Sequence, residues 1–269
     1  MTILFLGTGG ADWPVKNTEN MRLFRHHACV LVNGKVLIDL GPGILDYAKT
    51  IEGVDISEIE AIVLTHTHED HWNTDELAEL LKITKTSIKL FYHSSAKANL
   101  GLEEDGIHGK ALPKRFRNKL ILCPMRRLQK IEAGGCVWQN LEANHYAPAG
   151  ERGSHYIITE GKETWLYGCD GGWFTTKTWD VLRNNKFSGV ILDGTIGENS
   201  GDYRIAGHNS LAMNKLLLEA MRQQGMLAKG AGCYLSHFGM TTYENGQVNI
   251  AKKVEDIGFL EAKDGLLVQ

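Results

Sequence analysis

The chain has 269 residues, 43% of them hydrophobic, and a formal net charge of −3. That apolar content suffices for a sizeable core, while the weakly negative balance excludes a global attraction to nucleic acid or acidic membranes, so any such partner must be met by a local patch. Five cysteines (Cys29, Cys123, Cys136, Cys169 and Cys233), odd in number and widely spaced, specify neither a disulfide framework nor a CxxC zinc ribbon.

From Met1 the chain enters a strand-like run, Thr2 to Leu6, with no basic lead-in and no long apolar stretch, which predicts a cytoplasmic protein that does not span a membrane. Leu6-Gly7-Thr8-Gly9-Gly10 follows, a glycine-rich segment that reads first as a plain tight turn and otherwise as one whose backbone N–H groups approach an anion. Runs at Ala28–Val32 and Lys35–Leu40 flank Asn33-Gly34, a hairpin signal because both residues tolerate positive φ. Ala61–Thr65 is apolar at nearly every position, as expected of a strand covered on both faces. Asn73 followed by Glu76 predicts a capping box opening a helix through Leu77, Leu80 and Leu81.

Ile88–Tyr92 reads as another strand, and beyond it Lys110, Lys114, Arg115, Arg117, Lys119, Arg126, Arg127 and Lys130 form a run without acidic residues. Such a run is a solvated face or a patch that steers phosphorylated substrate or RNA. The acidic Glu103-Glu104-Asp105 just before it opposes a broad RNA-binding surface. Further strands are expected at Cys136–Leu141, His155–Thr159, Thr164–Tyr167, Gly189–Leu192 and Gly232–Ser236. Helices are expected at Thr175–Arg183, Leu211–Met221 (stopping at Gly225) and Val248–Ile257. Sheets with helices outside them define a layered α/β fold. No repeat or linker divides the chain, which predicts a single domain over residues 1–269.

The segment richest in chemistry is Thr65-His66-Thr67-His68-Glu69-Asp70-His71, between a buried strand and a capped helix. Its polar side chains must crowd one short loop, and imidazole nitrogen with carboxylate oxygen is the donor set that zinc prefers and that manganese and iron tolerate.

This segment resembles the signature of the metallo-β-lactamase superfamily, and later landmarks carry the resemblance over essentially the whole chain: Asp39 in Leu37-Ile38-Asp39-Leu40-Gly41, His145 in Glu142-Ala143-Asn144-His145, Asp170 in Tyr167-Gly168-Cys169-Asp170-Gly171, and His237 in Leu235-Ser236-His237-Phe238. Singly, His145 or His237 reads equally well as a hydrogen-bonded structural histidine, and Asp170 as a turn residue; their value is collective. The resemblance implies a four-layer αββα sandwich holding two divalent metal ions, zinc foremost and manganese or iron as alternatives. It assigns one ion to His66, His68 and His145, the other to Asp70, His71 and His237, and the bridge to Asp170. Asp39 would steady the ligand loop.

Two ions about 3.5–4 Å apart share a hydroxide, the expected nucleophile, and grip the substrate oxygen where charge builds. The histidine at position 68 argues for the hydrolytic rather than the iron redox branch. Asp193-Gly194-Thr195 and Gly207-His208-Asn209-Ser210 are similar to an acid–histidine pair of the phosphodiesterase branch, with His208 as proton donor or charge stabiliser and Asp193 fixing its orientation. The bland reading is that Asn209 or Ser210 caps a helix and His208 merely precedes it. Asp70, Asp193 and His208 are thus the candidate catalytic residues.

The expected activity is that of a phosphodiesterase on a small or cyclic phosphate ester or nucleotide, with a small phosphorylated substrate favoured over RNA. Relatives imply a homodimer. The alternatives are a tRNA 3′-processing endonuclease, a carboxyl-ester, lactone or thioester hydrolase, and a catalytically silent metal-binding sensor. The long glycine- and proline-rich arm of the tRNA enzymes is absent. So is the N-terminal cysteine cluster of the cyclic-phosphate enzymes, since the Ala11–Cys29 stretch holds only Cys29. His26, His27, His93, His108 and His155 match no ligand motif and read as structural or surface residues, with His26 and His27 near the mouth of the site as a further option.

Overall fold

A computed structural model describes residues 1–17, 21, 23–199, 201–244 and 250–269. In chain order these contain β1 (Ile3–Gly7), β2 (Cys29–Val32), β3 (Val36–Ile38), α1 (Ile44–Ala48), β4 (Ala61–Val63), α2 (Thr74–Ile83), β5 (Ile88–His93), β6 (Leu120–Met125) and β7 (Lys130–Ala133). They continue with β8 (Cys136–Glu142), β9 (Ser154–Glu160), β10 (Glu163–Gly168), α3 (Thr176–Leu182), β11 (Phe187–Asp193), α4 (Leu211–Gln223), β12 (Leu227–Ser236), α5 (Thr241–Glu244), α6 (Ile250–Asp256), β13 (Leu260–Glu261) and β14 (Leu267–Val268). The strands form two sheets, in the orders β14-β1-β2-β3-β4-β5-β6 and β13-β12-β11-β10-β9-β8-β7. Val248 and Asn249, read from the sequence as the start of the last helix, lie outside the described residues.

The period of two along each strand builds the layers. In β1, Ile3 and Phe5 face the second sheet and join Trp138, Tyr156, Trp165 and Tyr167 in a central core. Leu4 and Leu6 point the other way, against Leu45 of α1 and Leu77, Leu80 and Leu81 of α2. The second sheet repeats this: Leu166, Val190 and Leu235 meet Leu182 of α3, Leu217 and Leu218 of α4 and Val254 of α6. Both faces of both sheets are covered, which gives the four-layer αββα sandwich expected and explains why the central strands are apolar at every position.

Strand direction places the functional loops. β1 and β3 are each antiparallel to β2, and β3 through β6 are parallel, so β1, β3, β4, β5 and β6 all end at the same edge. In the second sheet β8 and β10 flank the antiparallel β9, and β10, β11 and β12 are parallel, so these four also share an edge.

Asn33 and Gly34 have φ of 52° and 66°, as the hairpin signal requires. The Asn73 side chain accepts from the N–H groups of Asp75 and Glu76. The capping box is only half formed, however, because the Glu76 carboxylate turns away and accepts from Gly43 and Leu45 N–H, both at 3.0 Å, at the start of α1. Strand β6, unread in the sequence, runs through the basic stretch as the edge of its sheet, where Pro124 costs no ladder bond.

Candidate metal centre

The loops from both sheets converge at one edge. Asp39, at the end of β3, accepts from Thr65 N (2.7 Å) and Thr65 Oγ1 (2.8 Å), which folds the 65–71 loop back over the strand ends. Glu151 ties the same loop from the other sheet, accepting from Thr67 N at 2.9 Å and from Thr67 Oγ1. Asp39, Asp170 and His237 have φ of 66°, 56° and 60°. Non-glycine residues rarely occupy this left-handed region, and here three of them do so at one centre, held by the surrounding bonds.

The side chains named from sequence meet in two groups around Asp170. In one, His66 Nε2 lies 2.7 Å from His68 Nδ1, His145 Nε2 lies 3.1 Å from the same nitrogen, and Asp170 Oδ2 is 3.1 Å and 3.3 Å from His66 and His145 Nε2. In the other, His71 Nε2 is 3.2 Å from Asp70 Oδ2, 3.1 Å from His237 Nε2 and 3.1 Å from Asp170 Oδ2.

Imidazole lone pairs and carboxylate oxygens aimed at one another repel unless a proton or cation lies between them. Asp70 Oδ2 and Asp170 Oδ1 are buried without a hydrogen-bond partner. Tetrahedral zinc with bonds of about 2.0–2.1 Å spaces its ligands by about 3.4 Å, close to these separations. The donor set therefore fits divalent cations. His66, His68, His145 and Asp170 form one candidate set, and Asp70, His71 and His237 another.

Electrostatics separate the groups. Burial, with help from His145 and His71, pushes His68 down to about 4. Burial would lower His71 too, but Asp70 and Asp39 outweigh it and hold its pKa well above the ordinary value.

A third grouping joins Asp170, Asp193, His208 and His237. Here the Asp193 carboxylate is already saturated. Its Oδ1 accepts from Thr195 N (3.0 Å) and Asn209 N (3.1 Å), while its Oδ2 accepts from Thr195 Oγ1 (2.9 Å) and Gly171 N (3.3 Å) and lies 3.0 Å from His208 Nδ1. It orients its neighbours instead of offering a free lone pair. His208 Nδ1 also sits 3.2 Å from Asp170 Oδ1. Burial pulls His208 down, yet Asp193 and Asp170 prevail and raise its pKa to about 9. Ser210 caps α4 by accepting from Met213 N, as the bland reading of this segment expects.

The glycine-rich segment after β1 is a plain tight turn, and its anion-binding option fails. Its N–H groups are not free for an anion: Thr8 N and Gly9 N donate to His26 O at 3.0 and 2.8 Å, and Gly10 N donates to Phe238 O at 3.0 Å. The glycines instead permit close packing, since a Cβ on Gly10 would stand 3.2 Å from His237 Cε1. His26 and His27 are likewise structural. His26 stacks on Tyr47 at 4.0 Å and its N–H donates to Asp264 at 2.7 Å, while His27 Nε2 lies 2.9 Å from Trp13 O.

Two supporting residues went unread in the sequence. Thr195 Oγ1 lies 2.7 Å from His237 Nδ1 and relays it to Asp193. A hydroxyl beside an aspartate gives no such signal. Glu151 reaches Thr67 across 84 positions of sequence, and no local pattern marks it.

Residues 22–107 match the model of the metallo-beta-lactamase superfamily. The whole chain also superposes on solved structures of that fold. It is similar to Zn(2+)-bound PqqB from Methylobacterium extorquens (TM-score 0.72, 15% identity, covering 100% of both chains). It resembles a diphosphatase of the PhnP family (0.69, 18% identity, 100% of this chain and 97% of that one) and the short form of human tRNase Z (0.66, 17% identity, 100% and 99%). No curated protein matches. The fold is thus that of the metallo-beta-lactamase superfamily, and the match to its model over residues 22–107 and the clustered donors agree with that likeness. Among the described residues no helix is long and apolar enough to cross a membrane.

Proposed function

We propose that the protein is a metal-dependent phosphodiesterase acting on a small phosphate ester. In this reading His66, His68 and His145 hold one divalent ion, Asp70, His71 and His237 hold a second, and Asp170 lies between them. Divalent ions held there would supply ionised water at neutral pH and neutralise charge on phosphoryl oxygens, with zinc the favoured metal. The chain's own groups do the rest. Asp193 engages His208 Nδ1, which leaves Nε2 to meet a phosphoryl or leaving-group oxygen, and Asp39 keeps His71 turned inward.

The observation that carries the proposal is the Asp193–His208 pair set against the shared carboxylate, because an acyl hydrolase has no need of a second, carboxylate-backed imidazole there. Similarity to a diphosphatase and to a tRNase supports phosphate ester chemistry.

A small substrate is favoured over RNA because several basic side chains of the 110–130 stretch are already engaged. Lys119 Nζ donates to Leu81 O (2.6 Å) and Thr84 O (2.7 Å) at the end of α2, and Arg127 pairs with Glu142 at 3.5 Å.

The test is a panel of bis(p-nitrophenyl) phosphate, cyclic nucleotides, 3′-extended precursor tRNA, a lactone and a thioester on zinc- or manganese-loaded protein. Phosphodiester turnover is expected, falling about 10²–10⁴-fold in His208→Ala with metal content unchanged. Lactone or thioester turnover indifferent to His208→Ala would overturn the reading, and bound metal without any turnover would assign the chain to a silent sensor.

A further inference from the structure

Three large aromatic or apolar side chains stand in water beside the centre, where nothing in the chemistry above employs them. Tyr146 is 83% exposed, Tyr203 89% and Trp173 44%. Each belongs to a loop that carries a group of the centre: Tyr146 follows His145, Trp173 lies three residues after Asp170, and Tyr203 opens the turn leading to His208.

The three loops touch. A Cβ on Gly172 would meet His208 N at 3.3 Å and Ala206 O at 3.5 Å, and one on Gly207 would meet Tyr146 N at 3.5 Å and His145 Nδ1 at 3.7 Å. Gly172 N also donates to Asn144 O at 2.9 Å. The aromatic side chains therefore rise from one continuous patch of backbone bordering His145, Asp170 and His208. Ile205, 39% exposed, adds an aliphatic wall on the same turn.

Burying even one of these rings would be favourable, so leaving several exposed on one rim asks for an occupant. A flat ring stacks on tyrosine and tryptophan faces without needing specific hydrogen bonds. The rim is continuous with the centre where the phosphate ester would react, so the group most directly placed to cover it is the remainder of that ester. Arg204, on the Tyr203 turn, is held to Asp202 by three contacts of 2.6–3.1 Å and is committed there, which leaves the rings as the recognition surface.

We infer that Tyr146, Trp173 and Tyr203 form a stacking subsite for a planar ring carried by the substrate, so that the preferred phosphate esters are nucleotide-like and not simple alkyl or sugar phosphates. This rests on the phosphodiesterase reading for its place in catalysis, but binding alone can test it.

The experiment compares adenosine 5′-monophosphate, phenyl phosphate and ribose 5-phosphate on metal-loaded protein by calorimetry and by quenching of Trp173 fluorescence, with Trp173→Phe as the fluorescence control. Adenosine monophosphate is expected to bind about tenfold or more tightly than ribose 5-phosphate, and Tyr146→Ala with Tyr203→Ala is expected to remove most of that preference. Phenyl phosphate binding as well as adenosine monophosphate would make any planar ring sufficient; binding like ribose 5-phosphate would restrict the subsite to a nucleobase.

Equal binding of adenosine monophosphate and ribose 5-phosphate, or a preference that survives the double substitution, overturns the subsite. A dimer that dissociates on the double substitution with ligand preference intact would give the rim to a second copy of the chain and overturn it as well. Turnover of bis(p-nitrophenyl) phosphate is measured separately: its absence sinks the phosphodiesterase reading and leaves the binding comparison standing.

Discussion

The two donor clusters meet at Asp170 but are backed by different groups. Behind His71 stands the Asp39 carboxylate, 2.8 Å from Nδ1, and behind His237 stands Thr195, bonded in turn to Asp193. Behind His66 there is a hydroxyl, Thr65 Oγ1 at 3.0 Å, and behind His145 a carbonyl, Gly207 O at 3.1 Å. Asp70, His71 and His237 are buried, whereas His68 and His145 are partly open to solvent. A carboxylate behind an imidazole fixes its orientation and raises its basicity. The Asp70, His71 and His237 cluster is thus the sealed and more firmly backed one, and the His66, His68 and His145 cluster the more open to solvent.

Asp170→Asn cuts the link between the clusters and is expected to have the largest effect, weakening both sets and costing more activity than loss of any backing residue. Metal analysis with circular dichroism checks it, the fold being retained. One ion held at full affinity would show that the clusters are independent and break the comparison.

Asp39→Ala sharpens the contrast because it strips the carboxylate from one side only. One of two metal-binding steps should weaken about 10–100-fold, and stability should fall by about 1–3 kcal/mol for each buried donor left unpaired, chiefly Thr65 N and the His71 ring. Calorimetric titration separates the steps; equal weakening of both would dissolve the distinction.

The smallest effect concerns His155, which is fully buried beneath the Gly171 turn with neither ring nitrogen hydrogen-bonded and is pushed by burial down to about 4. The folded state resists protonating it while the unfolded chain accepts a proton near 6.5. Its contribution is therefore complete above about pH 6.5 and is lost as pH falls from there through about 4. Denaturation of metal-free protein at pH 7 and pH 5 should show this loss, and His155→Leu should flatten it. An unchanged acid slope would mean that other groups carry the titration.

Legibility varied with distance along the chain. The strands of both sheets were readable where apolar residues are continuous, as at Ala61–Val63, and their two-sided burial follows from that pattern. The edge strands β6 and β7 were not, because half their side chains face water, β6 contains Pro124 and lies between basic residues, and β7 is only four residues long. Glu76 illustrates a local rule overridden by tertiary context: its spacing from Asn73 suits a capping box, yet the open N–H groups of Gly43 and Leu45 lie within reach and take its carboxylate. The anion-binding option for the glycine turn after β1 fails for a similar reason, since only the folded chain brings His26 and Phe238 alongside to claim its N–H groups.

Six consecutive residues from His66 to His71 can never be far apart, because the chain advances at most about 3.3–3.6 Å per residue. Their donors alone therefore determined that a cation-binding loop follows a buried strand. Whether His145, Asp170, His208 and His237 join them was not decidable from their own surroundings in the sequence. That was settled by the common direction of β4, β8, β10, β11 and β12, which delivers residues up to 171 positions apart (His66 to His237) to one edge. The same convergence chose Thr195 and Glu151 as supports and left Tyr146, Trp173 and Tyr203 uncovered, because contacts between loops depend on sheet register, which no single segment encodes.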